Sequence, residues 1–176
     1  MYAIVDIETT GGHASANGIT EIAICIHNGK KVIERYSTLV NPRREIPVYI
    51  SALTGITNEM VQNAPPFEDV AHDVYHLLNN KIFVAHNVNF DHSFVRYHLA
   101  AAGYELNCSK LCTVRLGRKI IPGLPSYSLG KLCRHLGIDN ESRHRAAGDA
   151  EATSQLCLVP GPQAKQEMAA LARWHK

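Results

Sequence analysis

The sequence predicts one α/β domain on a mixed five-stranded sheet, three antiparallel strands followed by parallel ones, with helices on its flanks. Three observations carry that prediction. The N-terminal quarter holds three β-rich apolar runs, two of them separated by Asn28-Gly29, a dipeptide that favours a type I′ hairpin turn. Downstream, short apolar runs alternate with segments of helical periodicity. At 176 residues, with 45% hydrophobic and 19% charged residues, the chain has the size and composition of one ordinary globular domain.

Tyr2 to Asp6 reads as a short buried strand, and Ile19–His27 with Lys31–Val40 as a hairpin. Pro42 and Pro47 break the strand pattern, and "ISALTGIT" follows as a short helical turn ending near Gly55. Phe67, Val70, Val74 and Leu77-Leu78 are spaced for one helix face. Lys81–Ala85 is a compact strand, followed by a helix from about Val88 to Ala102 that stops at Gly103. Leu111–Val114 reads as the last short strand. After the loop "IPGLPSYS", Ser128 is placed to cap a helix through Leu136, with Gly137 as its stop. A core helix over roughly Ala146–Leu158 ends the domain, which occupies residues 1–158. "VPGP" then opens a linker over the remaining residues, 159–176, where Gln163–Trp174 has the pattern of a further amphipathic helix. An all-parallel dinucleotide-binding sheet fits less well, because "TTGGHA" does not supply the G-x-G-x-x-G of its first turn.

The formal net charge of +2 excludes a polybasic tail but permits a local basic surface around an acidic site. No apolar run approaches the ~20 residues that span a bilayer, so no membrane partner is expected. The start MYAIVDIETT lacks a basic segment followed by an apolar one, so no signal peptide is expected either. Five cysteines, Cys25, Cys108, Cys112, Cys133 and Cys157, sit mostly in apolar segments. That usage suits reduced core thiols in a cytoplasmic protein. Cys108 and Cys112 have no second Cys/His pair at zinc-ligand spacing.

Acidic residues at three places carry the chemistry. "VDIETTGG" puts Asp6 and Glu8 at i and i+2 of a strand, projecting from one face roughly 7 Å apart along the backbone. Taken alone, such a pair is satisfied by an exposed strand end. The small residues that follow are less ordinary, since they allow a phosphate or sugar to come close. In "AHNVNFDHSFV", Asn87 or Asn89 is placed to cap, and Asp91 falls in the first helical turn within an apolar stripe of Val88, Val95 and Leu99. There it either complements the positive end of the helix dipole or meets a metal or buried partner. In "HRAAGDAEAT", His144 and Asp149 would be about 140° apart on one helix, at ~100° per residue. They face one site only if His144 lies in the preceding loop. Ala146, Ala147, Gly148 and Ala150 leave room for Asp149 to approach other elements, while Glu151 projects away and is assigned to solvent.

Four buried acids without cations are untenable. Mg²⁺ or Mn²⁺, with oxygen ligands, removes the difficulty. Two such ions ~4 Å apart can bind both the attacking and the leaving oxygen of an in-line phosphoryl displacement. A histidine such as His144 suits the general base that deprotonates the attacking water.

The segments DIETTG, HNVNFD and HRAAGD, in this order and spacing, resemble the motifs of the DEDDh group of 3′→5′ exonucleases, which have the RNase H-like fold. The likeness covers about Met1 to Leu158 and points to the proofreading epsilon subunit of bacterial DNA polymerase III and its relatives. It implies Asp6, Glu8, Asp91 and Asp149 as ligands of two divalent cations, and His144 as the general base. A sister group has a tyrosine four residues before the last Asp; Arg145 stands there instead and disfavours it. Thr9, Thr10 and Gly11 are implied to hold the terminal nucleotide. Leu53 is read either as packing on the last base or as a core leucine, and Phe90 as a stacking side chain. The resemblance leaves His86 and Asn87 without a role.

The function expected is therefore metal-dependent release of nucleoside 5′-monophosphates from single-stranded or frayed DNA 3′ ends, with a DNA polymerase catalytic subunit as a further partner. An RNA-directed relative shares the same motifs, as does the exonuclease domain of a repair nuclease. A non-catalytic nucleic-acid-binding module is disfavoured, because all five catalytic positions are filled.

Overall fold

The computed structural model describes residues 1–139 and 144–156. β1 (Tyr2–Thr9) is the central strand of a five-stranded sheet. β2 (Ile19–His27) and β3 (Val32–Leu39) extend it antiparallel on one side. β4 (Ile82–Ala85) and β5 (Lys110–Cys112) extend it parallel on the other, giving the order β3-β2-β1-β4-β5. This is the RNase H-like sheet that the resemblance implies.

β1 is apolar on both faces because both are covered. Ala3, Val5 and Ile7 face one layer and share a core with Val70 and Val74 of α3 (Phe67–Leu78) and with Val95 and Leu99 of α4 (Asn89–Ala101). Ile4 points the other way, as strand alternation requires. It packs with Ala23, Cys25 and two alanines, Ala146 and Ala150, of α7 (Ala146–Leu156). These small side chains are fully buried, which lets α7 lie close over β1 and β2. Each large side chain sealed in this way, such as Ile4, Phe94 or Leu99, contributes about 1.5–3 kcal/mol.

Several boundaries differ from those expected. β1 runs on to Thr9, because Glu8 pairs with Glu21 and Thr9 with Ile19 across a bulge. The β2–β3 connection is a four-residue loop, not a two-residue turn. Asn28 Oδ1 accepts from the backbone of both Lys30 and Lys31, so its side chain organises a wider loop around Gly29. The last strand stops at Cys112, and Val114 belongs to an unexpected helix, α5 (Thr113–Ile120). There Gly117 lies against α6 (Leu129–Leu136), where a Cβ would come within 3.2 Å of Leu132. Ser128 stands at the N-cap of α6, but its side chain makes no capping bond. Gly55 and Gly137 do stop α1 (Val48–Thr54) and α6 in left-handed conformations. A short α2 (Asn58–Val61), capped by Thr57, was not expected. The VPGP break and the helix expected over Gln163–Trp174 lie outside the described residues. Among the described residues, no helix is long and apolar enough to cross a membrane.

Candidate active site

Ile4, Asp6 and Glu8 alternate along the face of β1 that α7 covers. Ile4 seals the core, and the two carboxylates follow it towards the open end of the strand. Asp149 descends on them from the first turn of α7. Asp6, Glu8 and Asp149 each offer a carboxylate oxygen, and the three oxygens lie within 4.8 Å of one another. Asp91 enters from the opposite layer. It sits in the first turn of α4 and is 4% exposed, with the backbone of Ile7 favouring its ionised form.

The electrostatics follow from that convergence. Burial raises the Asp6 carboxyl well above the ordinary range, and the charges of Asp91, Asp149, Glu8 and Glu21 raise it further. Burial, then Asp149 and Glu21, push Glu8 up to about 7, against the pull of Arg145. Burial pushes Asp91 to about 8, despite the backbone donors that favour its ionised form. Raised in this way, Asp6, Glu8 and Asp91 retain protons into the neutral range unless cations replace them. Its donors are hard carboxylate oxygens at a spacing suited to a divalent ion, so the residues fit Mg²⁺ or Mn²⁺.

His144 lies in the turn before α7, as sharing a site with Asp149 requires. Its backbone is left-handed (φ 60°), uncommon for a residue other than glycine. Its backbone N–H donates to Asp149 Oδ2 at 3.0 Å, which ties the loop to the acidic cluster. Glu151 does point away from the cluster, but not into free solvent. It accepts both Nε and Nη2 of Arg35 on β3, at 2.9 and 3.2 Å.

The loop after β1 is built from its own side chains. The Thr9 hydroxyl donates to Gly11 O at 2.8 Å. Thr10 Oγ1 donates to Asn17 Oδ1 and accepts from Gly18 N–H. Both threonines are buried, so their hydroxyls shape the loop. Gly11 packs so tightly on Asn17 that a Cβ would lie 2.4 Å from its Oδ1. Gly11→Ala should therefore displace Asn17 and destabilise the protein by about 1–3 kcal/mol, read as a lowered melting temperature; an unchanged one would show that Asn17 moves freely.

Leu53 is 55% exposed on α1, which removes the core-leucine reading. Tyr49, one turn earlier and 68% exposed, extends the same apolar face. Phe90, at the start of α4, is half-buried against Phe94, with ring centroids 5.1 Å apart. Neither Asn87 nor Asn89 caps α4 with its side chain; Val88 holds the N-cap position. Asn87 instead makes the turn with a left-handed backbone, φ 75°. His86 is a brace: Nδ1 meets the Thr113 hydroxyl and Nε2 the carbonyl of Tyr127, both at 2.9 Å.

One residue here was not anticipated. Glu21 is 3% exposed on β2, opposite Glu8, and holds Arg145 through both oxygens at 2.7 and 3.1 Å. A lone carboxylate inside the apolar run ITEIAICIH is the signal that marks it.

The RNase_T exonuclease family model matches residues 3–157. The chain belongs to this exonuclease family. Its motifs and fold make it a 3′→5′ exonuclease domain of the DEDDh type, a metal-dependent class of hydrolase. It is 40% identical over 175 residues to the 3′-5′ exonuclease DinG of Bacillus subtilis, covering 94% of this chain and 19% of that protein. It is 35% identical over 167 residues to the PolC-type DNA polymerase III of Clostridium perfringens, covering 95% of this chain and 12% of that one. The domain thus spans a minor part of both relatives. Among solved structures, Exonuclease X in complex with 5′ overhanging duplex DNA superposes with a TM-score of 0.74 at 30% identity, over 98% of this chain and 99% of that one. Exonuclease I shares the fold, with a TM-score of 0.81 at 21% identity, over 94% of this chain and 42% of that one.

Proposed function

We propose that the chain hydrolyses DNA from the 3′ end to nucleoside 5′-monophosphates, using two Mg²⁺ or Mn²⁺ ions held by Asp6, Glu8, Asp91 and Asp149. The observation that carries this reading is the convergence of Asp6, Glu8 and Asp149, whose oxygens lie within 4.8 Å of one another, with the charge of Asp91 acting on Asp6 from α4. When bound, the ions supply Lewis-acid activation of a water and charge neutralisation at the leaving 3′ oxygen. His144 takes the proton of the attacking water at a ring nitrogen. Leu53 and Phe90 pack on the terminal bases, contacts that tolerate any base. The loop from Thr9 to Gly11 supports the last nucleotide.

The likeness to a PolC-type polymerase III supports a proofreading role, of the epsilon-subunit kind, on single-stranded or frayed ends beside a polymerase catalytic subunit. The higher identity to the 3′-5′ exonuclease DinG supports a second reading, an exonuclease acting apart from a polymerase. A nuclease assay on single-stranded DNA, mismatched duplex and matched RNA, with Mg²⁺ and with chelator, tests the whole proposal. Metal-dependent shortening of DNA from the 3′ end is expected; faster cleavage of RNA would move the assignment to an exoribonuclease, since the 2′-OH is the discriminating group. His144→Ala should lose rate by about 10²–10⁴-fold while retaining metal binding. An unaltered pH–rate profile in that variant would remove its role as base.

A further inference from the structure

We infer that Glu21 and Arg145 form a positioning strut for His144, so that turnover depends on a carboxylate outside the acidic motifs. The inference rests on the exonuclease reading above. Glu21 Oε1 accepts from Arg145 Nη2 at 2.7 Å, and Oε2 accepts from Arg145 Nε at 3.1 Å. The same Oε2 accepts the backbone N–H of Ala146 at 2.8 Å. One buried carboxylate therefore grips the residue after His144 and the first residue of α7 together. A two-pronged guanidinium–carboxylate contact fixes direction as well as distance, which a single ion pair does not.

The geometry shows what the grip is for. His144 has the left-handed backbone and its N–H points to Asp149 Oδ2. On one side the turn is tied to the acidic cluster; on the other it is tied to β2, through Arg145. β2 pairs with β1 along the whole of that strand, so Glu21 refers the His144 loop to the same rigid frame that carries Asp6 and Glu8. Glu21 itself is engaged elsewhere. Both of its oxygens already accept N–H donors, from Arg145 and from Ala146. Arg145 is 42% exposed, so breaking the pair by changing Glu21 leaves a guanidinium that water can solvate.

The test is Glu21→Gln, which keeps the volume and an acceptor for Ala146 but removes the charge. It is made in the full chain, alone and with His144→Ala, and single-turnover rates are read on a 3′-labelled DNA oligonucleotide. Alone, at saturating Mg²⁺, it should slow the maximal rate by about 10–100-fold, with half-saturating DNA within about twofold of wild type. Combined with His144→Ala it should add less than about a twofold loss, because the group it positions is gone. Arg145→Lys, which keeps the charge and loses the fork, should give a smaller loss with the same dependence on His144; it decides the question if Glu21→Gln does not fold. Equal losses in both backgrounds, an increased Mg²⁺ requirement that accounts for the loss, or an unchanged rate would each overturn the strut. An inactive wild type would instead sink the exonuclease reading.

Discussion

Asp6→Asn should abolish Mg²⁺-dependent hydrolysis and, in the same molecule, make the metal-free protein more stable. Both effects come from one location. Asp6 stands between Asp91, Asp149 and Glu8, and burial with these like charges drives its carboxyl well upward. An amide keeps the shape, removes the charge and loses the ligand through which the cluster would hold cations. Activity should fall by on the order of 10⁴-fold or more, as when one member of a catalytic unit is removed. At pH 8 in chelator the variant should melt several degrees higher, at about 2–4 °C per kcal/mol for a chain of this size. With Mg²⁺ added, the wild type should recover or overtake it, because a ligand that binds only the folded state stabilises that state. A variant that still hydrolyses DNA would remove Asp6 from the reaction. A variant that melts lower in chelator would show that the Asp6 carboxylate stabilises the fold and that repulsion within the cluster is not the dominant effect.

That opposition between stability and function explains why the sequence was readable where it was. A D-x-E at i and i+2 shares a strand face wherever the strand ends, so misjudging the end of β1 by three residues did not misplace Asp6 and Glu8. His144 and Asp149 could be reconciled only by a loop-to-helix boundary between them, and the turn before Ala146 is that boundary. Local periodicity did not reveal α5. Its sequence TVRLGRKI begins with two β-branched residues and carries a glycine, and its helical state is fixed by packing of Leu116 and Gly117 against other elements. The Asn28-Gly29 signal was real but incomplete, since the Asn28 side chain bonds two backbone groups and widens the loop. Glu21 was missed for a different reason. A charge in a buried strand signals a partner, but that partner, Arg145, lies 124 residues away and meets it only once α7 has docked.

Above about pH 7, where its buried histidines are already neutral, the metal-free protein should lose stability as pH rises towards 8, and Mg²⁺ should reverse that loss. In the folded state Glu8 ionises at about 7 against an ordinary 4.5, and Asp91 at about 8 against 3.8. Raised folded values mean that, between the two ionisations, the folded state holds protons the unfolded chain has released. The contribution of these two carboxyls is therefore full below about pH 4 and is lost as pH climbs through 7 to 8, while His92, lowered to about 4 by burial, gives the opposite trend up to about pH 6.5. Glu8 alone accounts for about 3 kcal/mol across its window. Divalent cations compete for the same oxygens, so binding at pH 7 should release about one proton or more per protein. Titration calorimetry in buffers of different ionisation enthalpy counts those protons, and melting curves with and without Mg²⁺ at pH 6 and 8 measure the linkage. The thermal shift given by saturating Mg²⁺ should be larger at pH 8, where unneutralised repulsion is greatest. Equal shifts at the two pH values, with no proton released, would mean that the carboxylates are already ionised without metal. In the linked case Asp6 and Glu8 of β1 and Asp91 of α4 exchange protons for cations, and catalysis at neutral pH depends on that exchange.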